Sequence, residues 1–510
     1  MVDKLIVTNR AALRRKYGAR GLAKVTTGVK ALIAADRTRG LITRLVALDS
    51  AAMKRYGPRL TDASSARQNK RAIDALHRAL RPHYLLILGS IDVVPHQDPK
   101  NPVFVDDQED DPVAWGDLPY ACDSPYSRDI TKFIGPTRVI GRLPDMQGAS
   151  EPSHLLACLD VATTYKTRPL AQYLDYFALS TQVWKKSTAL SVTNIFGNAT
   201  KVMLAPPVTS RLAARKLGAR SHFINCHGAL ADSHFYGEDK SGMPMALDSK
   251  DVGGRIREGT VAAVECCYGA ELYDSVGLGL PTPICQTYMV GKAYGYFGST
   301  TIAYGPAEGN GAADLITQYF LLELQAGHSL GLAVLKAQQR YVEQANELDP
   351  IDLKTLAQFY LLGDPSVQPV KIDSATRTPA GIATVAKRSV RDARRANTER
   401  IGQRLRESKP TASQPVSAIP PANVRRQLNQ IARQVGAAPA AQFTTFAVDC
   451  VRRSEGAKRA VRGGDGMASK YHLLVTTADH RSKTDVGSRV AVIAREASER
   501  IVGYRIYYQR

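Results

Sequence analysis

Short unbroken apolar runs, separated by stretches with helical spacing, dominate the first 370 positions of the chain. Residues 5–8 (LIVT), 41–48 (LITRLVAL) and 84–88 (YLLIL) are runs of the kind buried on both faces of a sheet. Before the third run, residues 66–80 (ARQNKRAIDALHRAL) set Ile73, Leu76 and Leu80 among Arg and Lys, and Pro82 ends the pattern. That spacing predicts an amphipathic helix. Strand and helix in alternation predict βαβ units around a mostly parallel sheet.

The alternation continues past residue 150. Residues 152–167 read as a helix, 176–179 (YFAL) as a strand, 287–293 as a helix, 296–302 as a strand, and 313–325 and 330–344 as two covering helices. Two further runs, 221–230 (SHFINCHGAL) and 261–270 (VAAVECCYGA), are apolar and strand-like and then stop at a reactive side chain followed within two residues by glycine. A buried parallel strand delivers a chemical group to the carboxyl edge of its sheet in this way. The first run delivers His227 and the second Cys267. Between them, residues 231–251 are polar and turn-rich, which predicts a hairpin or groove rim with Asp232 and Tyr236 as candidate substrate contacts. Residues 270–283 are punctuated by Gly and Pro, as in a loop that orders over a substrate.

A thiol attacks as thiolate, and an imidazole beside it can take its proton. Forty positions separate His227 from Cys267, enough for one return through loop and helix, so parallel pairing of the two strands sets both at one sheet edge. Gly228 and Gly269 let backbone come close to a substrate, and the N–H groups near Gly228 and Cys267 suit an oxyanion. Taken alone, His227 reads more readily as a structural histidine. Cys266 reads as a small core hydrophobe. Adjacent cysteines lack the spacing of a zinc ligand pair, and residues 305–314 (GPAEGNGAAD) fit neither a dinucleotide fingerprint nor a phosphate loop.

These runs resemble the gingipain-type peptidases of the caspase-like superfamily, whose nucleophile is the second of two adjacent cysteines. The likeness extends in order over residues 85–95 (LLILGSIDVVP), 117–123 (DLPYACD), 139–145 (VIGRLPD), 291–305 (GKAYGYFGSTTIAYG) and 360–367 (YLLGDPSV), about residues 4–369 in all. It implies a caspase-like, doubly wound, mostly parallel α/β fold of two subdomains, a Cys267–His227 dyad and cleavage of peptide bonds. Two positions depart from the family pattern. Its Tyr-Glu pair, which orients the histidine, finds Tyr165 and Lys166 as counterpart, so the expectation is a dyad without that carboxylate or with a substitute such as Asp123. Lys185 and Lys186 stand near where the family places an acidic pocket for basic side chains, so they are candidate substrate contacts with an acidic or uncharged preference.

Composition adds a boundary and a charge. The 510 residues are 44% hydrophobic and 23% charged, enough for about three domains, with no apolar run of membrane-spanning length and no signal-peptide core at the amino terminus. Seven scattered cysteines fit reduced thiols, and the expected compartment is the cytoplasm. Residues 371–510 hold 27 of the 68 Lys and Arg but only 11 of the 47 Asp and Glu, so the net charge of +21 belongs mostly to this tail. Lys387, Arg391, Arg394 and Arg395 form a basic stripe, and Pro410, Pro415, Pro420 and Pro421 follow it. An acidic partner or nucleic acid fits such a tail, as does a solvated linker. Residues 443–448, 471–477, 490–494 and 501–508 read as strands of a small terminal domain; Tyr504, Tyr507 and Tyr508 there suit base stacking or core packing.

Residues 105–117 carry Asp106, Asp107 and Asp110 among other acids. They suit either a calcium ion or a solvated acidic loop. The Cys–His chemistry itself requires no cofactor.

The expected organisation is a non-catalytic caspase-like subdomain (1–150), a catalytic one (151–374), a basic helical and Pro-rich linker (375–440) and a small α+β, strand-rich domain (441–510). The expected function is an intracellular cysteine endopeptidase, latent or regulated through the basic tail. The alternative is a caspase-like scaffold of weak turnover whose tail binds nucleic acid or another acidic partner.

Overall fold

A computed structural model describes residues 2–105, 109–372, 380–437, 442–449, 469–477 and 489–510. The first unit runs through β1 (Lys4–Thr8), α1 (Arg10–Thr38), β2 (Thr43–Ala47), α2 (Ala66–Leu80), β3 (Tyr84–Leu88) and β4 (Ile140–Leu143). α3 (Ser153–Thr164) and the two-residue β5 (Arg168–Pro169) lead to β6 (Tyr176–Thr181), α4 (Lys185–Phe196), β7 (Val202–Ala205), α5 (Ser210–Ala214) and β8 (Ser221–Asn225). A small antiparallel sheet follows, made of β9 (His227–Gly228), β10 (His234–Tyr236) and β11 (Met245–Asp248). Then come α6 (Ser249–Val252), β12 (Val261–Val264), α7 (Ile284–Val290), β13 (Gly295–Ser299), β14 (Tyr304–Gly305), α8 (Ala313–Gln325), α9 (Leu330–Gln344), α10 (Pro350–Gln358), β15 (Phe359–Leu362) and β16 (Val370–Lys371). The rest of the chain holds α11 (Ala380–Ser408), β17 (Thr411–Pro415), α12 (Ala422–Gln434), β18 (Thr444–Asp449), β19 (Lys470–Thr477), β20 (Arg489–Ala497) and β21 (Arg500–Gln509).

Ten strands form one continuous sheet in the order β2-β1-β3-β4-β15-β13-β12-β8-β6-β7. Every neighbouring pair is parallel except β13 with β15, which is antiparallel. The sheet is thus two five-stranded parallel halves joined at one seam. The carboxyl edges of the two halves face opposite ways. β15, late in sequence, belongs to the half built from β1 to β4. The fold is mixed α/β with a mostly parallel sheet, as the alternating runs predict. β1, β6, β8, β12, β13 and β15 are buried along their whole length, which is why they read as unbroken apolar runs.

A charged residue fixes the loop after β3. Arg142, on β4, is fully buried, makes two bonds to Asp117 (2.9 Å and 2.6 Å) and donates to the carbonyls of Gly89 and Val94. A bidentate pair of this kind ties the segment after β3 to the sheet.

The tail is more structured than a linker. α11 docks on the body, with Arg391 near Asp3 (3.7 Å), Arg395 donating to the Arg81 carbonyl (2.7 Å) and Arg81 paired with Glu399 (3.0 Å). The side chain of Lys387 lies outside the described residues. β17, within the stretch expected to be linker, already belongs to the terminal sheet, whose order is β14-β21-β20-β19-β18-β17. β14 follows β13 of the second half, so the terminal sheet is hydrogen-bonded directly to that half. Tyr507 is buried in the core and Tyr504 donates to Gln434. Among the described residues, six free cysteines are all buried, and no helix is long and apolar enough to cross a membrane. Cys450 lies outside them.

Candidate active site

β8 and β12 are parallel neighbours with Val261 level with Ser221 and Val264 level with Ile224. Counting on by the same register, Cys267 falls level with His227, both beyond the carboxyl edge of their half. Gly228 packs on the backbone of Cys267: a Cβ there would stand 1.9 Å from the Cys267 carbonyl oxygen, so only glycine fits. Tyr268, next after the thiol, has φ of 53°, a left-handed conformation that turns the chain sharply away from the edge.

The amides of Gly228 and Cys267 converge on one oxygen. It is the backbone carbonyl oxygen of Arg510, 3.4 Å from the Gly228 nitrogen and 3.0 Å from that of Cys267. Arg510 follows β21, which pairs antiparallel with β14, Tyr304 opposite Gln509 and Gly305 opposite Tyr508. The Arg510 N–H donates to the Ala303 carbonyl (2.9 Å). An extended segment, residues 508–510, therefore lies along the site as an added strand.

The Arg510 side chain is fully buried, and among the described residues only its Nη2 finds hydrogen-bond partners, Nε and Nη1 having none. Its Nη2 donates to both Asp314 carboxylate oxygens (3.1 Å each) and to the Pro306 carbonyl (2.8 Å), and lies 3.4 Å from Ser187 Oγ. The guanidinium carbon stacks 4.3 Å from the Trp184 ring centre. A side chain at Gly305 would collide with the guanidinium, its Cβ falling 2.3 Å from Nη2. Glu265, buried at the end of β12, accepts from Thr317 (3.1 Å). Burial and the neighbouring Asp314 push the Glu265 carboxyl well above its ordinary range. Burial raises Asp314 too, against the opposing charge of Arg510. Both carboxyls are thus raised, and Asp314 is the one that faces the arginine.

His227 is held from two sides. Its Nε2 lies 2.7 Å from Glu238 Oε2, and its ring centre is 4.3 Å from that of Trp184. Burial lowers its pKa while Glu238 opposes the shift, which leaves an imidazole rather than an imidazolium at neutral pH. The Cys267 Sγ lies 3.2 Å from the Ala303 nitrogen and 3.4 Å from the Ala303 oxygen. Burial pushes this thiol up to about 12, against the Ala303 N–H. With residues 508–510 in place the group is a protonated thiol.

The other sequence candidates sort themselves around this centre. Lys185 and Lys186 are exposed at the start of α4, Lys186 pairing with Glu308 (2.6 Å), and it is their neighbours Trp184 and Ser187 that meet Arg510. Asp232 accepts from Tyr236 (2.7 Å) and contacts His234 Nδ1 (2.6 Å), a self-contained set in the small sheet. Asp123 is engaged by Thr137 and Arg138, and Tyr165 packs on Tyr294 and under Arg39, so neither position orients His227; Glu238 does.

In the acidic stretch, Asp110 pairs with Arg489 (2.7 Å), Glu109 with Lys354 (2.7 Å), and Asp111 accepts from Tyr268 (2.9 Å) and the Ile302 N–H (2.8 Å). Each carboxylate already has a cation or a donor. Asp106 and Asp107, the other calcium candidates, lie outside the described residues, and among those described no group of three acidic, His or Cys side chains is arranged to hold a metal ion.

Glu238, Glu265, Asp314 and Trp184 escape the sequence reading because each is separated in the chain from the residue it serves. The one local signal is the acidic residue directly before the paired cysteines.

No protein-family model matches the chain, and no curated protein matches its sequence. Among solved structures, the separase–securin complex of Saccharomyces cerevisiae matches with 11% identity and a TM-score of 0.28, over 46% of this chain and 14% of that one. The chain thus spans about a seventh of that protein. A likeness of this extent carries no argument about this chain.

Proposed function

We propose that the chain is a cysteine endopeptidase that cleaves after arginine and is held latent by its own terminal strand. The observation that carries this is Arg510, with its carbonyl oxygen on the Gly228 and Cys267 amides and its guanidinium on Asp314. A substrate arginine in the same place presents its carbonyl carbon to the Cys267 sulfur. His227 takes the thiol proton as the C–S bond forms, and the negative charge on the carbonyl oxygen is met by the two amides. The imidazolium then protonates the leaving amine as the C–N bond breaks. Water, deprotonated by the same histidine, hydrolyses the thioester and releases the arginine carboxylate and the thiol. Glu238 keeps the imidazole ring oriented and stabilises its charged form.

The test is an internally quenched peptide containing Tyr-Tyr-Gln-Arg. Cleavage is expected on the carboxyl side of the arginine. A chain that leaves it intact, even with the terminal strand displaced, is not this peptidase.

Two further results are expected. Glu238→Gln lowers kcat about 10- to 100-fold with KM nearly unchanged, because the ring loses its orienting partner while the substrate pocket is untouched. An equal effect carried wholly in KM would place Glu238 in substrate binding instead. Arg510→Ala, or deletion of residues 506–510, raises kcat/KM at least about tenfold, because an occupant tethered in cis competes at a local concentration on the order of millimolar. Unchanged activity in both variants would show that the terminal strand is no barrier.

A further inference from the structure

Beyond the arginine pocket lies a second cavity, of about 800 Å³. Its walls bring together the loop after β3, the acidic stretch and the turns that follow the two reactive residues: Leu230 two positions past Gly228, and Tyr268 one past Cys267. Thr300 and Thr301 complete it.

The path of the terminal strand leads there. Gln509 lies opposite Tyr304, and the Arg510 N–H bonds to the Ala303 carbonyl. Counting on by the same antiparallel register, a peptide continuing past the arginine brings its second and third following residues level with Thr301 and Thr300. The amide of Tyr268 is bonded to the Thr301 carbonyl (3.1 Å), so this wall and the turn after the thiol are one unit.

The lining has a definite chemistry. Leu230 and Trp115 present exposed apolar surface, 64% and 44% accessible. The polar lining includes five acids, Asp92, Asp98, Asp111, Glu271 and Asp274, beside Ser, Thr and Tyr hydroxyls and Gln147. Three of these acids are spoken for, Asp92 by Lys16 (2.7 Å), Asp98 by Arg128 (3.4 Å) and Asp111 by Tyr268 and the Ile302 N–H. Asp98 Oδ1 and Gln147 Oε1 are buried with no hydrogen-bond partner, although Asp98 Oδ2 receives Tyr126 (3.1 Å). Among the described residues, the Asp274 side chain accepts only the Gly277 N–H (2.7 Å), and that of Glu271 the Ala231 N–H (2.8 Å). The two basic groups are occupied, Arg67 over the Tyr126 ring and His96 on Asp117. Acceptors without donors in a roomy cleft call for a cation or an N–H-rich chain.

We infer that this cavity, given the peptidase reading above, binds the part of a substrate that follows the cleaved bond, and selects a Lys or Arg among the first three residues there. Two twelve-residue peptides test it, both containing Tyr-Tyr-Gln-Arg and differing only in Lys or Glu at the second position beyond the arginine. Binding is measured by fluorescence anisotropy to the full chain carrying Cys267→Ala and Arg510→Ala, which needs no turnover. The Lys peptide is expected to bind at least tenfold more tightly, and Asp98→Asn or Asp274→Asn added to that chain should each reduce the ratio several-fold. Because the readout is a ratio on one protein sample, partial loss of folded protein cancels. Equal affinities, a tighter Glu peptide, no binding of either, or a ratio indifferent to both substitutions overturns the inference. Cleavage of a reporter amide carrying nothing beyond the arginine, measured on the chain with its cysteine intact, reports on the peptidase reading independently.

Discussion

Cys267→Ala is expected to lower kcat for a peptide cleaved after arginine by about 10⁴-fold or more, because no other group at the edge of the sheet can form the acyl bond. Cys266 is no substitute. It is fully buried in the apolar core on the other side of the strand, and burial pushes its thiol well above the usual range. Cys266→Ala should accordingly cost little activity. The measurement is steady-state cleavage of a Tyr-Tyr-Gln-Arg reporter peptide with folding checked by circular dichroism. Activity of Cys267→Ala within tenfold of the unaltered chain would falsify the assignment of the nucleophile.

Asp314→Asn is expected to cost about 10²- to 10³-fold in kcat/KM for an arginine peptide and far less for one with glutamine at that position. The asparagine keeps the shape of the pocket but leaves the guanidinium buried without its counter-charge, a loss of about 3–5 kcal/mol for a broken buried pair. Glu265 does not stand in for it geometrically, since the ion pair of the Arg510 guanidinium is with Asp314. The comparison of arginine with glutamine peptides on the same variant separates loss of pocket charge from a general fault. A uniform fall for both peptides would assign Asp314 a structural role.

Much of this arrangement is visible in the chain before it folds. The runs ending at His227 and Cys267 announce buried strands and their tips, and the glycine after the histidine marks the close approach that brings two amides onto one oxygen. The arginine pocket is less visible. Asp314 stands in the first turn of α8 after a Gly-rich stretch, a setting equally suited to an ordinary capped helix, and only the fold carries it to Glu265 and Trp184. Glu238 follows a bulged hairpin, so its distance from His227 depends on a register that alternation of apolar residues does not specify. Lys185 and Lys186 mislead for a related reason: the neighbours that flank them, Trp184 and Ser187, turn inward while the charges turn out. The terminal strand escapes local reading altogether, since its partner β14 lies about 200 positions earlier.

The seam between β13 and β15 bears on how the molecule can be divided. β15 follows every strand of the second half in sequence, yet it supplies the border strand of the half begun at β1. A fragment cut near residue 150 would leave β4 with a bare row of amide and carbonyl groups, an invitation to pair with other chains and precipitate. Neither half is a movable part, and shuffling them between genes or making them separately would meet the same obstacle.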